Sequence, residues 1–304
     1  MDLYFAGAEA FKPIVVNEKV NLLISYYYAR EKFESFVENF DLTGRKIFVD
    51  SGAFTAWTKH VQIDVDEYCT WINKYRDCLS LFGQVDSIPG DIDATPTLSQ
   101  VKEAAQKTWE NYLYMRQRVD RPEGLLYTFH VGEPFEYLKQ ALEWRDEDGN
   151  PIPYIAFGGM VRKTYSQKKN FLDRCFSIIK QSSNPNVKVH AFGMTAFDLL
   201  EDYPIESADS TSWIMTGANG GISTDAGVVS ISSQQSNLPD HYSHLPEEHL
   251  IKFKDDVARY GFDIDTLAND YKSRLIYHLR YFGEKAANIP KKTIKEFKCK
   301  KTLF

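Results

Sequence analysis

Short runs of apolar, β-branched and aromatic residues alternate along the chain with longer segments whose apolar positions recur at helical spacing. Strands covered on both faces read as continuous apolar runs, and the helices that cover them show one apolar stripe. The alternation therefore predicts repeated βα units around a parallel sheet. The strand candidates are residues 3–6, 22–27, 46–49, 84–88, 125–129, 154–157, 187–192 and 205–208. Between them, residues 97–119 set Leu98, Val101, Ala105, Trp109, Tyr112 and Leu113 on one helical face. Residues 166–181 do the same with Phe171, Leu172, Cys175, Ile178 and Ile179, with Ser166 as the expected N-cap. Asn184-Pro185-Asn186 marks a turn. Eight strands joined by helices predict an α/β protein, a TIM (β/α)8 barrel. An open doubly wound sheet satisfies the alternation as well. A ninth strand-like run at 227–232 leaves open whether it or 3–6 lies outside the barrel.

Past Pro246 the pattern becomes helical. Leu250, Ile251, Phe253 and Val257 form a stripe that Gly261 should end, and a second helix over 265–288 carries Leu267, Tyr271, Leu275, Leu279 and Phe282. The expected organisation is a barrel over 1–245, followed by C-terminal helices and a lysine-rich tail over 246–304.

Composition narrows the class. A length of 304 residues fits one large barrel with an extension, and 43% hydrophobic with 26% charged residues excludes disordered, collagenous and coiled-coil chains. Six lysines against Glu296 give residues 290–304 a local +5, which leaves −11 for the rest of a chain whose net charge is −6. Cys69, Cys78, Cys175 and Cys299 are too scattered for a disulfide framework or a CxxC zinc site. The first residues lack a basic, apolar leader, and the longest apolar stretch is too short for a bilayer. The reading is a soluble, cytoplasmic protein with no membrane partner.

In a barrel, chemistry comes from the carboxyl ends of the strands. Here those ends carry Asp50-Ser51-Gly52-Ala53-Phe54, Pro89-Gly90-Asp91, His130-Val131-Gly132-Glu133, Gly158-Gly159-Met160, His190-Ala191-Phe192-Gly193-Met194-Thr195 and Asp209-Ser210-Thr211-Ser212-Trp213. Several carboxylates with one or two histidines, and no P-loop or Rossmann glycine pattern, point to glycosidic cleavage. There one carboxylate attacks or steadies the sugar carbon while another manages the proton of the leaving group.

These same runs resemble a known family. Asp50-Ser51-Gly52-Ala53-Phe54 is similar to the Asp-Ser-Gly-Gly-Phe motif of queuine and archaeosine tRNA-guanine transglycosylases. The Gly158-Gly159-Met160 strand end and the His190–Thr195 run resemble further family segments, and Asp209 falls where the family keeps its nucleophile. The match is nearest to a short phage and bacterial branch related to 7-deazaguanine DNA transglycosylases, and covers roughly residues 1–215. The resemblance implies Asp209 as nucleophile, Asp50 as general acid/base, Asp91 bonded to the base, with Asp93 competing, and backbone N–H groups of Gly158 and Gly159 at a base carbonyl. It further implies Phe54 and Met194 sandwiching the ring. Two departures stand out. The family's cysteine-rich zinc site is absent, so no cofactor is expected. His130 lies near a position where the tRNA enzymes carry a guanine-reading Gln, which points to a different base.

Blander readings exist for each residue. Asp50 would serve as a helix cap, the two glycines as a tight turn, and the histidines as satisfied core groups, a reading favoured for His190. His241, His244 and His249 read as a solvated loop. The resulting expectation is cleavage of a nucleobase from a polynucleotide, DNA favoured over tRNA, by exchange with a free modified base or by hydrolysis to an abasic site. A tRNA base-exchange enzyme, a small-nucleoside glycosidase and a non-catalytic nucleic-acid-binding barrel are the alternatives. Phosphate contacts are expected first from Arg274, Arg280 and the lysine tail.

Overall fold

The computed structural model describes residues 1–15, 17–38 and 42–298. Eight parallel strands close into a barrel in sequential order: β1 Asp2–Ala6, β2 Asn21–Ser25, β3 Ile47–Asp50, β4 Leu81–Gly83, β5 Leu125–His130, β6 Tyr154–Gly158, β7 Lys188–Ala191 and β8 Ser207–Ser210. β1 pairs with β8 and thereby shuts the sheet, so 3–6 is a barrel strand. The run at 227–232 belongs outside: β10 Gly227–Ser230 pairs antiparallel with β9 Gly221–Thr224 in a separate two-stranded sheet. Closure, not the alternation, distinguishes this barrel from an open doubly wound sheet.

Two strands are displaced from their expected positions. β4 ends at Gly83, before the 84–88 run, because its neighbours fix its ladder: Phe48 and Val49 pair with Leu81 and Phe82, and Leu125 and Leu126 with Phe82 and Gly83. Gln84–Ile88 looks like a strand in isolation, but it has left the ladder. β8 runs two residues later than expected, which puts Asp209 inside the strand, opposite Tyr4 of β1. Helix Tyr165–Gln181 starts one residue earlier than expected, because Thr164 and Gln167 form a reciprocal capping box and displace Ser166 from the cap. The helix expected over 265–288 is two helices, Ile264–Asn269 and Tyr271–Asn288, since the Asp270 carboxylate caps a fresh N-terminus through the N–H groups of Lys272 and Ser273.

Side chains alternate across a strand, so every second residue faces the barrel interior. That inner layer is a core of its own, formed by Tyr4, Ala6, Leu23, Phe48, Leu126, Tyr154 and Ala156. Rings from three strands meet across the barrel axis: Tyr4 stands edge-on to Phe48 at 5.6 Å, and Phe48 to His190 at 4.8 Å. A larger core lies between strands and helices and holds most other apolar residues, Met194 and Trp213 among them.

The segment after Pro246 is fused to the barrel. Helix Tyr271–Asn288 packs on helix Ser212–Ala218 and on β1, and the N-terminal amine donates to Ala286 O at 3.1 Å. The described part of the lysine tail folds back at the opposite end from the strand termini named above. Lys291 pairs with Glu206 just before β8, Phe297 lies against Phe176 and Tyr203, and Lys180 donates to Phe297 O. Cys299, Lys300 and Lys301 lie outside the described residues. No described helix is long and apolar enough to cross a membrane.

Candidate functional site

Period-two alternation carries the inner face upward to the site. Asp50 follows Phe48 by two, His130 follows Leu126 by four, Gly158 follows Ala156 by two, and Asp209 follows Ser207 by two. All four therefore top the interior at the carboxyl ends of β3, β5, β6 and β8.

Asp209 is almost fully buried, and its Oδ1 accepts from Gly193 N–H at 2.9 Å and from His190 Nε2 at 3.2 Å. Because an ionised carboxylate only accepts, Nε2 carries the hydrogen. Nδ1 lies 2.7 Å from Ser207 Oγ, which in turn lies 2.6 Å from the Tyr154 hydroxyl, so each of these groups has a hydrogen-bond partner. The chain Tyr154–Ser207–His190–Asp209 runs up the barrel axis and fixes one oxygen of Asp209. Oδ2 makes no hydrogen bond among the described residues. His190 is thus a buried partner of Asp209, engaged at both nitrogens.

Asp50 sits in a different environment. Burial and the nearby Asp86 carboxylate, with Asp209 adding to them, push it up to about 7, against a hydrogen bond accepted from Gly52 N–H at 3.2 Å. Asp50 does not cap helix Ala53–Thr58; Gly52 occupies the N-cap position at φ +77°, and a Cβ there would strike Ser25 and Tyr27.

His130 is clamped between carboxylates, with Nε2 3.3 Å from Asp86 and Nδ1 2.8 Å from Glu133. Burial opposes the imidazolium, but Asp86 and Glu133 outweigh it and hold the ring well above its ordinary value. Both nitrogens are engaged by protein groups, so His130 supports Asp86 and presents no free edge to a base. Gly158 is what lets the ring lie there: a Cβ would stand 2.4 Å from His130 Cδ2. Gly159 turns the chain at φ +73° beside Val131 N.

The other expected residues fall in varied places. Phe54 is 63% exposed above the mouth, tilted against Trp57 at 5.7 Å, and Trp57 donates to Gly90 O. Met194 is fully buried in the outer core and has no face to offer a ring. Asp91 is exposed on the loop past β4, outside the contacts that join Asp50, Asp86, His130 and Asp209, as is Asp93. The aspartate that follows β4 into the site is Asp86, which also accepts from Gln84 Nε2 at 3.2 Å. Asp86 and Glu133 escaped notice as site groups because the displaced β4 pointed attention to Asp91, and because pairing between a strand end and its loop leaves no periodic trace. His241 and His244 are engaged by Ser243 and by Ser236 O, and no described group of three or more His, Cys, Asp or Glu side chains is arranged to hold a metal ion.

The expected phosphate contacts are engaged elsewhere. The Arg274 guanidinium is buried and donates to Gly217 O and Leu267 O, Arg280 pairs with Glu18 at 2.8 Å, and the described part of the tail lies at the far end of the barrel.

What stands at the mouth is a fixed aspartate with one open oxygen and a second aspartate biased toward its protonated form, with an exposed aromatic ring on the helix that follows β3. No protein-family model matches the chain, and no curated protein matches it.

Proposed function

We propose that this protein cleaves the N-glycosidic bond of a nucleobase held in a polynucleotide, DNA in preference to tRNA. The carrying observation is the unlike environment of two aspartates at one barrel mouth. Asp209 is held by hydrogen bonds that favour its carboxylate, while burial and Asp86 push Asp50 up to about 7. Two titratable groups with environments that separate their protonation states divide into nucleophile and acid.

In this reading Asp209 Oδ2 attacks the anomeric carbon, the carbon–nitrogen bond breaks, and its electron pair leaves with the base. Asp50 supplies the proton the departing base needs. The sugar stays bonded to Asp209 until a second nucleophile attacks the same carbon. A free base gives exchange; water gives an abasic site. Either nucleophile returns a proton to Asp50, and Asp209 leaves as a carboxylate. Asp86, oriented by His130, faces Asp50 and is the group available to accept a base N–H. Phe54 offers an exposed ring for the base to stack on. A base in a duplex reaches such a mouth only when flipped out or presented on a single strand.

Incubation with modified and unmodified DNA, RNA and free nucleosides, scored for alkali-labile breaks and for uptake of labelled base, tests the reading. Release or uptake is expected from polynucleotides, with Asp209→Asn slower by about 10³-fold or more at unchanged melting temperature. Full activity in folded Asp209→Asn, or release from free nucleosides alone, sinks it.

A further inference from the structure

Beside the mouth runs a groove of about 700 Å³ with no role in the chemistry above. It is walled by the first turns of helix Leu98–Arg116, by the segment that follows β5, and by helix Tyr165–Gln181. Glu133 joins it to the site, since this residue lines the groove and also holds His130 Nδ1. Gly132 keeps that wall open: its φ is +103°, and nothing lies within 4 Å of where a Cβ would stand.

The lining combines rings with cations. Phe135 and Phe171 lie 6.3 Å apart, and the Arg174 guanidinium sits 4.1 Å over Phe135. Arg174 has no carboxylate partner among the described residues, and Lys102 has only Glu136 at 3.7 Å. Arg162 and Lys163, on the loop between β6 and helix Tyr165–Gln181, are exposed and make no ion pair among the described residues. In a chain with net −11 outside its tail, and with Arg274, Arg280 and Lys291 engaged elsewhere, these cations beside the segments that follow β5 and β6 are available to a polyanion.

Phe171 is buried behind the groove, and the partly exposed Phe135 ring with the exposed Leu98 side chain forms an apolar wall against which a heteroaromatic base can lie, while the guanidinium and ammonium alongside suit a phosphate. The volume falls within the ~300–1,000 Å³ of ordinary small-molecule pockets, enough for one nucleotide. A neighbouring base reaches an apolar wall set in a groove only when it is unstacked, which a duplex forbids. We infer that this groove is the subsite for the nucleotide next to the reacting one in a single strand. The inference rests on the preceding section for what occupies the mouth, yet its binding is measurable without catalysis.

The test titrates a fluorescein-labelled single-stranded DNA of mixed sequence, and its duplex, at several salt concentrations. Lys102→Glu/Arg174→Glu should weaken single-strand binding about tenfold or more and flatten the salt dependence by about 1.4 in log–log slope, the value for two phosphates on a single strand. Lys102→Met/Arg174→Met, which keeps the apolar stems, should flatten the slope equally, and Lys254→Glu on the remote helix Glu247–Arg259 should change nothing. Unchanged affinity and slope in the folded double variants overturn the proposal, as does an equal loss on duplex. Base release by the wild type with affinity unmoved by the double variants would sink the groove alone. Lost affinity with no base release from any substrate would support the groove and sink the glycosidic reading.

Discussion

Asp50 and Asp209 share a mouth but not an environment, and the difference lies in their immediate partners. Asp209 receives a backbone N–H and an imidazole N–H, whereas Asp50 is buried facing another carboxylate, with only the backbone N–H groups of Gly52 and Ser51 to offset it. Two consequences follow for pH. If protonated Asp50 is the acid, base release falls as pH rises through about 7, and a pH–rate profile without that limb excludes it. Stability moves with the same group. Between the ordinary carboxylate range and about pH 7 the folded state binds a proton that the unfolded chain does not, so Asp50 lowers stability progressively over that interval and by a constant amount above it. Asp50→Asn should therefore melt about 2–4 °C higher than the wild type at pH 8 and indistinguishably from it near pH 4. Equal melting temperatures at pH 8 would show that Asp50 ionises without cost.

At the scale of elements, the site depends on how strand ends abut. β5 delivers His130 and β6 delivers Gly158 in register, so the ring lies flat against a residue with no side chain. Asp86 and Glu133 hold the ring on both sides and leave it no direction of retreat. Gly158→Ala is expected to cost about 1–3 kcal/mol through that overlap, visible as a lowered denaturation midpoint, and to reduce activity through displacement of His130 and Asp86. Gly158 has an ordinary backbone conformation, so the cost would report the contact and not strain; a neutral substitution would refute the packing. The Tyr154–Ser207–His190 chain is a second element-level device. It ties β6, β7 and β8 together beneath Asp209.

For the molecule as a whole, the two ends of the barrel divide the work. The carboxyl ends hold the acids, the exposed ring of Phe54 and the groove, while the described part of the tail, through Lys291 and Phe297, packs toward the amino ends. Ile294 and Phe297 are buried there, and Phe297 covers Phe176 and Tyr203. Removal of residues 290–304 is therefore expected to destabilise by about 3–5 kcal/mol, the burial value of two large apolar side chains. Nucleic-acid affinity of the folded fraction should stay unchanged across salt. A truncated protein with wild-type stability and weakened binding would reverse this assignment and return the tail to the phosphate-binding role its six lysines advertise.

The sequence by itself determined the βα alternation and the clustering of Asp, His and Gly after the strands, because burial of alternating elements imposes periodicities that survive in one dimension. Asp50 was legible because it closes an apolar run, and Asp209 because it follows the last expected strand, where the resemblance places the nucleophile. Tertiary structure decided what depends on neighbours distant in the chain. Ladder pairing with β3 and β5 ended β4 at Gly83 and so put Asp86, not Asp91, beside Asp50. Closure of β8 on β1 put Asp209 within its strand, and the return of the C-terminus to the amino ends withdrew the most basic segment from the mouth. Register, closure and the partner of each buried charge are set by contacts between segments far apart in sequence, and no local pattern of residues encodes them.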